Sequence, residues 1–268
     1  MHLTRSLITA LATLAMAATL ASAQSMSPSA PPGSTGTAPG GGGGGAPVDT
    51  DLDLPIEGPV YPPPAPTPTS IPDDRDDPRD EPPPVIFGEE IVSENDTIFY
   101  VIDISGSMSI GREAYTTLEG ATSTGTRMER AKTELLRSIL GLSRSFSFNI
   151  VAYDCGTRLW SQEMKRATDG NKASASAWVG ALQPTGATGT GPACALALGD
   201  KRNMAVVLLT DGAPNCGASG VEGHRAMIRD ANTQGATITV FGIAASGTYR
   251  QFCVNVAGDS GGSYYDVP

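Results

Sequence analysis

From Val85 onward, short apolar runs alternate with amphipathic stretches, and the two kinds of pattern predict different elements. Ile98-Phe-Tyr-Val-Ile102 is apolar at five consecutive positions and rich in β-branched and aromatic residues. Such a run is too short for a buried helix and suits a strand covered on both faces. Ala205-Val-Val-Leu-Leu209 is more apolar still and reads the same way. Phe148–Tyr153 and Ile238–Ala244 add two further strands, Ser263–Val267 a short last one, and Arg158–Met164 a candidate edge strand. Between them, Met128, Ala131, Leu135, Ile139 and Leu142 recur at steps of three and four, the spacing of one helical face. Lys172–Leu182 (with Trp178 as a core residue), Pro192–Leu198, Val221–Asn232 and Tyr249–Ala257 also read as helices. Repeated strand–helix units with apolar strands predict an α/β class: a doubly wound, mainly parallel sheet with helices on both faces. The polar stretch Ile110–Thr126 carries neither period and reads as a loop, or else as a rim that selects or shields partners.

Ahead of this region the pattern changes. Residues 1–23 combine a polar start at His2 and Arg5, an apolar stretch from Leu7 to Leu20, and Ala21-Ser22-Ala23 as a cleavage signal. That is the layout of an export signal, so the expected location is outside the cytoplasm: periplasm, cell surface or medium. No later run is long enough to span a bilayer, so no membrane span is expected after cleavage. Residues 24–85 are expected to form a disordered linker, Gly-rich over Gly40–Gly45 and then Pro-rich and acidic. Asp49-Thr-Asp51-Leu-Asp53 resembles the start of a calcium loop but has Leu54 where the turn needs Gly, and is rejected. The folded domain is then residues 86–268. The net charge of −10 is uneven: half of the 28 acidic residues lie between Asp49 and Asp96, against only Arg75 and Arg79, so the rest of the chain is close to neutral. Nothing forms a basic patch, so no nucleic-acid partner is expected.

Candidate chemistry sits where apolar strands stop. Ile98–Ile102 ends in Asp103-x-Ser105-x-Ser107, and Ala205–Leu209 ends in Thr210-Asp211-Gly212. A Gly/Thr loop, Gly186-Ala-Thr188, precedes the Pro192–Leu198 helix. In an open α/β sheet, ligands bind in the loops at the carboxyl ends of strands. Hydroxyl and carboxylate oxygens without thiolate or imidazole suit Mg2+, with Mn2+ or Ca2+ as alternatives, better than zinc or copper.

Val-Ile-Asp103-Ile-Ser105-Gly-Ser107-Met, Gly186-Ala-Thr188 and Val207-Leu-Leu-Thr210-Asp211-Gly212, in that order, resemble a von Willebrand factor A domain with a metal-ion-dependent adhesion site. Gly261-Gly-Ser-Tyr-Tyr265 resembles that family's closing strand, so the likeness covers roughly Ile86 to Val267. It implies that Ser105 and Ser107 coordinate a divalent cation directly, joined by Thr188, with Thr190 as the alternative if the loop registers differently. It also implies that Asp103 and Asp211 act through waters and hydrogen bonds, and that Thr210 supports rather than coordinates. An Asp or Glu of a protein partner would complete the octahedron. The implied function is an exported, non-enzymatic module for cation-dependent protein–protein interaction or adhesion. The alternative is an envelope or assembly scaffold whose ion only stabilises loops. Many relatives continue into a last helix beyond the point where this chain stops, so one sheet edge or face is expected to be covered by another segment or a partner.

Cys155, Cys194, Cys216 and Cys253 lack C-x-x-C spacing, and an even count in an exported chain favours two disulfides. The family's sheet order implies the pairs Cys155–Cys194 and Cys216–Cys253. Gly258-Asp-Ser260-Gly-Gly262 matches the nucleophile motif of trypsin-like proteases, but His224 is the one histidine left after the signal, and it reads as a solvated helix residue. That chemistry needs a histidine base oriented by a buried carboxylate, so no hydrolase is expected.

Overall fold

In a computed structural model of the chain, residues 82–268 are described, and the expected export signal and most of the expected linker lie outside them. The described residues all fall in one compact unit. The central strand is the apolar run that the sequence singles out. In chain order the strands are β1 (Val85–Ile86), β2 (Glu89–Glu90), β3 (Thr97–Asp103), β4 (Glu113–Thr116), β5 (Thr122–Gly125), β6 (Ser147–Tyr153), β7 (Thr157–Leu159), β8 (Lys165–Arg166), β9 (Ala205–Thr210), β10 (Thr237–Ile243) and β11 (Tyr264–Val267). The helices are α1 (Arg127–Gly141), α2 (Asp169–Ala181), α3 (Thr190–Ala197), α4 (Gly220–Ala231) and α5 (Gly247–Asp259).

The main sheet runs β11-β10-β9-β3-β6-β7, with β8 also on β6. The first five are mutually parallel, and β7 and β8 pair antiparallel with β6. Alternate residues of each strand face opposite ways. Tyr100, Ile102, Phe148, Ile150, Val207, Leu209 and Phe241 pack with α1 and α2 in one core. Phe99, Val101, Val151, Tyr153, Val206, Leu208 and Val240 pack with α3, α4 and α5 in the other. The expected doubly wound α/β architecture is therefore present.

Two segments differ from the expectation. Ile110–Thr126 is not a loop but carries the hairpin β4–β5, registered from Glu113↔Gly125 to Thr116↔Thr122. Both strands are largely exposed, so neither face shows the apolar alternation that marks a strand. Arg137 donates to the carbonyls of Thr116 and Thr117 at 2.8 and 3.0 Å and ties the turn to α1.

The second segment is the hairpin β1–β2. Its two turn residues, Phe87 and Gly88, have φ of 49° and 85°, the left-handed pair that a two-residue hairpin turn requires. Phe87 is an uncommon occupant of that region, and its surroundings hold it there. Its N–H donates to Glu134 of α1 at 2.9 Å, and its ring lies 5.5 Å from that of Phe241, which stacks on Tyr265 at 5.3 Å. Ile86 and Ile91 are buried in the same core as Phe241, Ile243 and Val267. This hairpin thus packs over the β10–β11 end of the sheet.

Candidate metal centre

Parallel neighbours end on the same edge of a sheet, and this brings the polar motifs together. Asp103 stands beside Tyr153, the last residue of β6, and Ile102 beside Leu209 on β9, so Thr210 and Asp211 emerge next to Asp103. Asp103 Oδ1 accepts from the Ser105 N–H at 2.7 Å, and its Oδ2 from Thr210 Oγ1 at 2.7 Å and Tyr153 Oη at 3.3 Å. Ser105 Oγ lies 3.1 Å from Ser107 Oγ, which donates to Asp211 Oδ1 at 2.9 Å. Four of the five expected site residues therefore form one hydrogen-bonded chain.

The fifth, Thr188, lines a cavity of about 260 Å³ together with Ser107, Asp211, Arg127, Asn215 and Tyr249. Its loop is fastened on two sides. The Gly186 carbonyl accepts from the Gly106 N–H at 3.0 Å, and the Thr185 N–H donates to the Ile104 carbonyl at 2.6 Å. On the other side, Asn215 Oδ1 accepts from the Thr188 N–H at 2.8 Å, and the Asn215 N–H returns a bond to the Thr188 carbonyl at 2.8 Å. Gly189 N–H donates to the Asp154 carbonyl at 2.7 Å, and a Cβ on Gly189 would come within 2.8 Å of that oxygen. Only glycine permits the approach. Thr190, the alternative to Thr188, instead sits 3.3 Å from Tyr153 Oη, wholly buried at the start of α3.

The electrostatics are those of carboxylates out of water. Burial pushes the Asp103 carboxyl up to about 6; the bonds from Thr210 and Ser105 oppose the rise, and the nearby Asp211 charge adds to it. Asp211, with a fully buried side chain, forms an ion pair with Arg127, whose Nη1 lies 2.7 Å from Oδ2. Arg127 opens α1 directly after Thr126, which accepts from the Glu129 N–H while Glu129 accepts from its own, a reciprocal cap that fixes the helix start.

The donor set fits a small hard cation. Octahedral Mg2+ binds oxygen at about 2.0–2.1 Å, which sets neighbouring ligand oxygens about 2.9 Å apart. The Ser105–Ser107 oxygen separation of 3.1 Å is close to that edge length, and Asp211 accepts a hydrogen bond from Ser107 at 2.9 Å. Among the described residues no three His, Cys, Asp or Glu side chains converge, so hydroxyls would have to do most of the holding.

Several expectations are corrected by the fold. Cys155 pairs with Cys216, not Cys194, across a Cα–Cα distance of 5.7 Å, and Cys216 does not pair with Cys253. The reason is the Thr188 loop: its bonds to Asp154 and to Asn215 draw the neighbouring cysteines together. Cys194 and Cys253 are free and face the helical core from α3 and α5. His224 is not solvated but fully buried, and its Nδ1 accepts from the Gly191 N–H at 2.9 Å. Burial lowers its pKa. A Cβ on Gly191 would lie 2.7 Å from that nitrogen, which is why the helices meet there through a glycine. The protease-like Ser260 spends its hydroxyl on the Ala257 carbonyl and the Ile238 N–H, at 2.9 and 3.0 Å. Its neighbour Asp259 is held by Arg225 and Arg229.

The sequence reading missed Arg127, Asn215 and Tyr153. Asn215 had a signal, being polar and four residues beyond Asp211 in a loop at a strand end; an arginine in a helix's first turn had none.

No protein-family model and no curated protein sequence matches the chain. Solved structures do show likeness in fold. A von Willebrand factor type A protein from Catenulispora acidiphila is 21% identical with a TM-score of 0.49; the match covers 65% of this chain but only 39% of that one. The conserved hypothetical protein BatB from Bacteroides thetaiotaomicron is 18% identical with a TM-score of 0.47, covering 64% of this chain and 89% of that one. The SpRpn10 VWA domain is 15% identical with a TM-score of 0.44, covering 65% and 88%.

Proposed function

We propose that this chain is an exported, non-enzymatic binding module of the von Willebrand factor A type, which holds a divalent cation and engages an acidic side chain of a protein partner. Ser105, Ser107 and Thr188 would hold the cation, with Asp103 and Asp211 orienting the hydroxyls. One observation carries the reading: the Ser105 and Ser107 hydroxyls stand 3.1 Å apart, near the mutual distance of neighbouring ligands around Mg2+, and Ser107 is bonded to Asp211 from a distant strand end beside the cavity that Thr188 lines. When bound, the cation supplies a centre whose charge is little cancelled by direct ligands, so that a partner carboxylate gains most by completing it. The protein's own groups do the rest. Thr210 and the Ser105 N–H fix Asp103, Ser107 bridges to Asp211, and Asn215 holds Thr188 at the cavity wall.

Calorimetric titration of the full chain with Mg2+ and Mn2+ tests the first half, with Asp103→Ala and Ser107→Ala expected to abolish uptake. Pull-down from the source organism with Mg2+, with EDTA, and with Asp103→Ala tests the second. Partners retained in all three samples would instead support a scaffold whose loops do not depend on an ion.

A further inference from the structure

The cavity wall holds a charge that a cation site has no obvious use for. Arg127 lines it beside Ser107 and Thr188, and its guanidinium already occupies Oδ2 of the buried Asp211 at 2.7 Å. The contact is built in. Arg127 is the first residue of α1, its backbone N–H donates to the Ile110 carbonyl at 2.9 Å, and the reciprocal Thr126–Glu129 cap fixes the helix start around it. Its side chain is only 21% exposed, and its Nε is buried without a hydrogen-bond partner. A guanidinium stays charged at any working pH, so nothing but movement or a second anion relieves its repulsion of another cation.

We infer that Arg127 is the site's own counter-ion: it competes with the divalent cation for Asp211 and makes cation binding depend on an arriving carboxylate. The inference rests on the proposed metal-binding reading and specifies how that site is regulated. In a partly dry cavity, two positive centres sharing one carboxylate repel strongly. A cation alone therefore binds weakly, because Arg127 either loses its partner or faces like charge. An acidic side chain from outside offers the second anion that lets both cations remain. Cation and acidic ligand then raise each other's affinity by the same factor. Arg127 becomes a determinant of specificity for carboxylate partners, acting beside the ion rather than as a ligand to it.

The test is a Mn2+ titration, with no partner present, of the full chain and of Arg127→Met and Arg127→Lys, after circular dichroism establishes that each is folded. Arg127→Met is expected to bind Mn2+ roughly tenfold more tightly or better, since the repulsion is gone. Arg127→Lys keeps the charge and is expected to stay near the parent's weaker affinity. In the unaltered protein, the Arg127 Nε–H resonance, assigned by its loss in Arg127→Lys, is expected to shift when Mg2+ is added; this arm needs no folded Met variant. Equal or weaker Mn2+ binding by Arg127→Met, or an Nε–H signal that ignores Mg2+ at saturation, overturns the inference and leaves metal binding standing. Absence of uptake by every form through the millimolar range removes both.

Discussion

Ile86 lies before the first predicted core strand, yet it is as buried as any residue in the protein, and replacing it with alanine measures what the N-terminal hairpin contributes. Ile86 has no exposed surface, and it shares its core with Ile91, Phe241 and Val267. Burying an isoleucine side chain is worth about 1.5–3 kcal/mol in transfer terms. The void left behind adds to that, so Ile→Ala in such a place costs about 2–5 kcal/mol. Backbone bonds around the hairpin, including Ile91 N–H to the Pro84 carbonyl at 2.8 Å, limit how far it can collapse to fill the gap. A loss of about 3 kcal/mol is the working expectation, lowering Tm by roughly 6–12 °C in a body of this size. Val85→Ala is the control: Val85 is 41% exposed, and a change within about 0.5 kcal/mol is expected. Urea unfolding followed by tryptophan fluorescence reads both, with m held constant between variants. If Ile86→Ala unfolds within about 0.5 kcal/mol of the parent, the hairpin is an appendage and the covering of β10–β11 contributes nothing.

Two further outcomes follow from the site and its surroundings. In EDTA, two buried groups pull stability in opposite directions with pH. Asp103, raised to about 6, takes up its proton in the folded state first, so its contribution grows as pH falls from about 6 toward the ordinary carboxyl range. His224, lowered by burial, favours the folded state above the ordinary imidazole range, and that advantage is lost as pH falls through it. Asp103→Asn is therefore expected to steepen the loss of stability between pH 7 and 5, and His224→Gln to flatten it; parallel urea midpoints across that range would contradict both assignments. The Cys155–Cys216 bridge closes a loop of 61 residues, for which chain entropy gives about 4 kcal/mol, an upper value if the open form keeps structure. Cys155→Ser with Cys216→Ser is expected to lose about 2–4 kcal/mol, and peptide mapping of the parent is expected to show that pair and no Cys155–Cys194 link.

The sequence by itself determined the sheet and which polar residues gather at one of its edges. An unbroken apolar strand such as Ile98–Ile102 has to be covered on both faces, which forces a parallel sheet between helices, and parallel strands deliver their polar ends to one edge. That is why Asp103, Ser105, Ser107 and Asp211 could be grouped from their positions after apolar runs alone. What the tertiary structure decided depends on side-chain direction and on contacts with no local pattern. Arg127 looks like any charged residue in a helix's first turn until α1 sets it against Asp211. His224 stands among polar neighbours in α4, and only the glycine at position 191 opens room for its ring in the core. The cysteine pairing followed the path of the Thr188 loop, because hydrogen bonds to Asp154 and Asn215 brought Cys155 and Cys216 within reach. Local pattern records what a residue needs from solvent; it does not record which distant residue will answer that need.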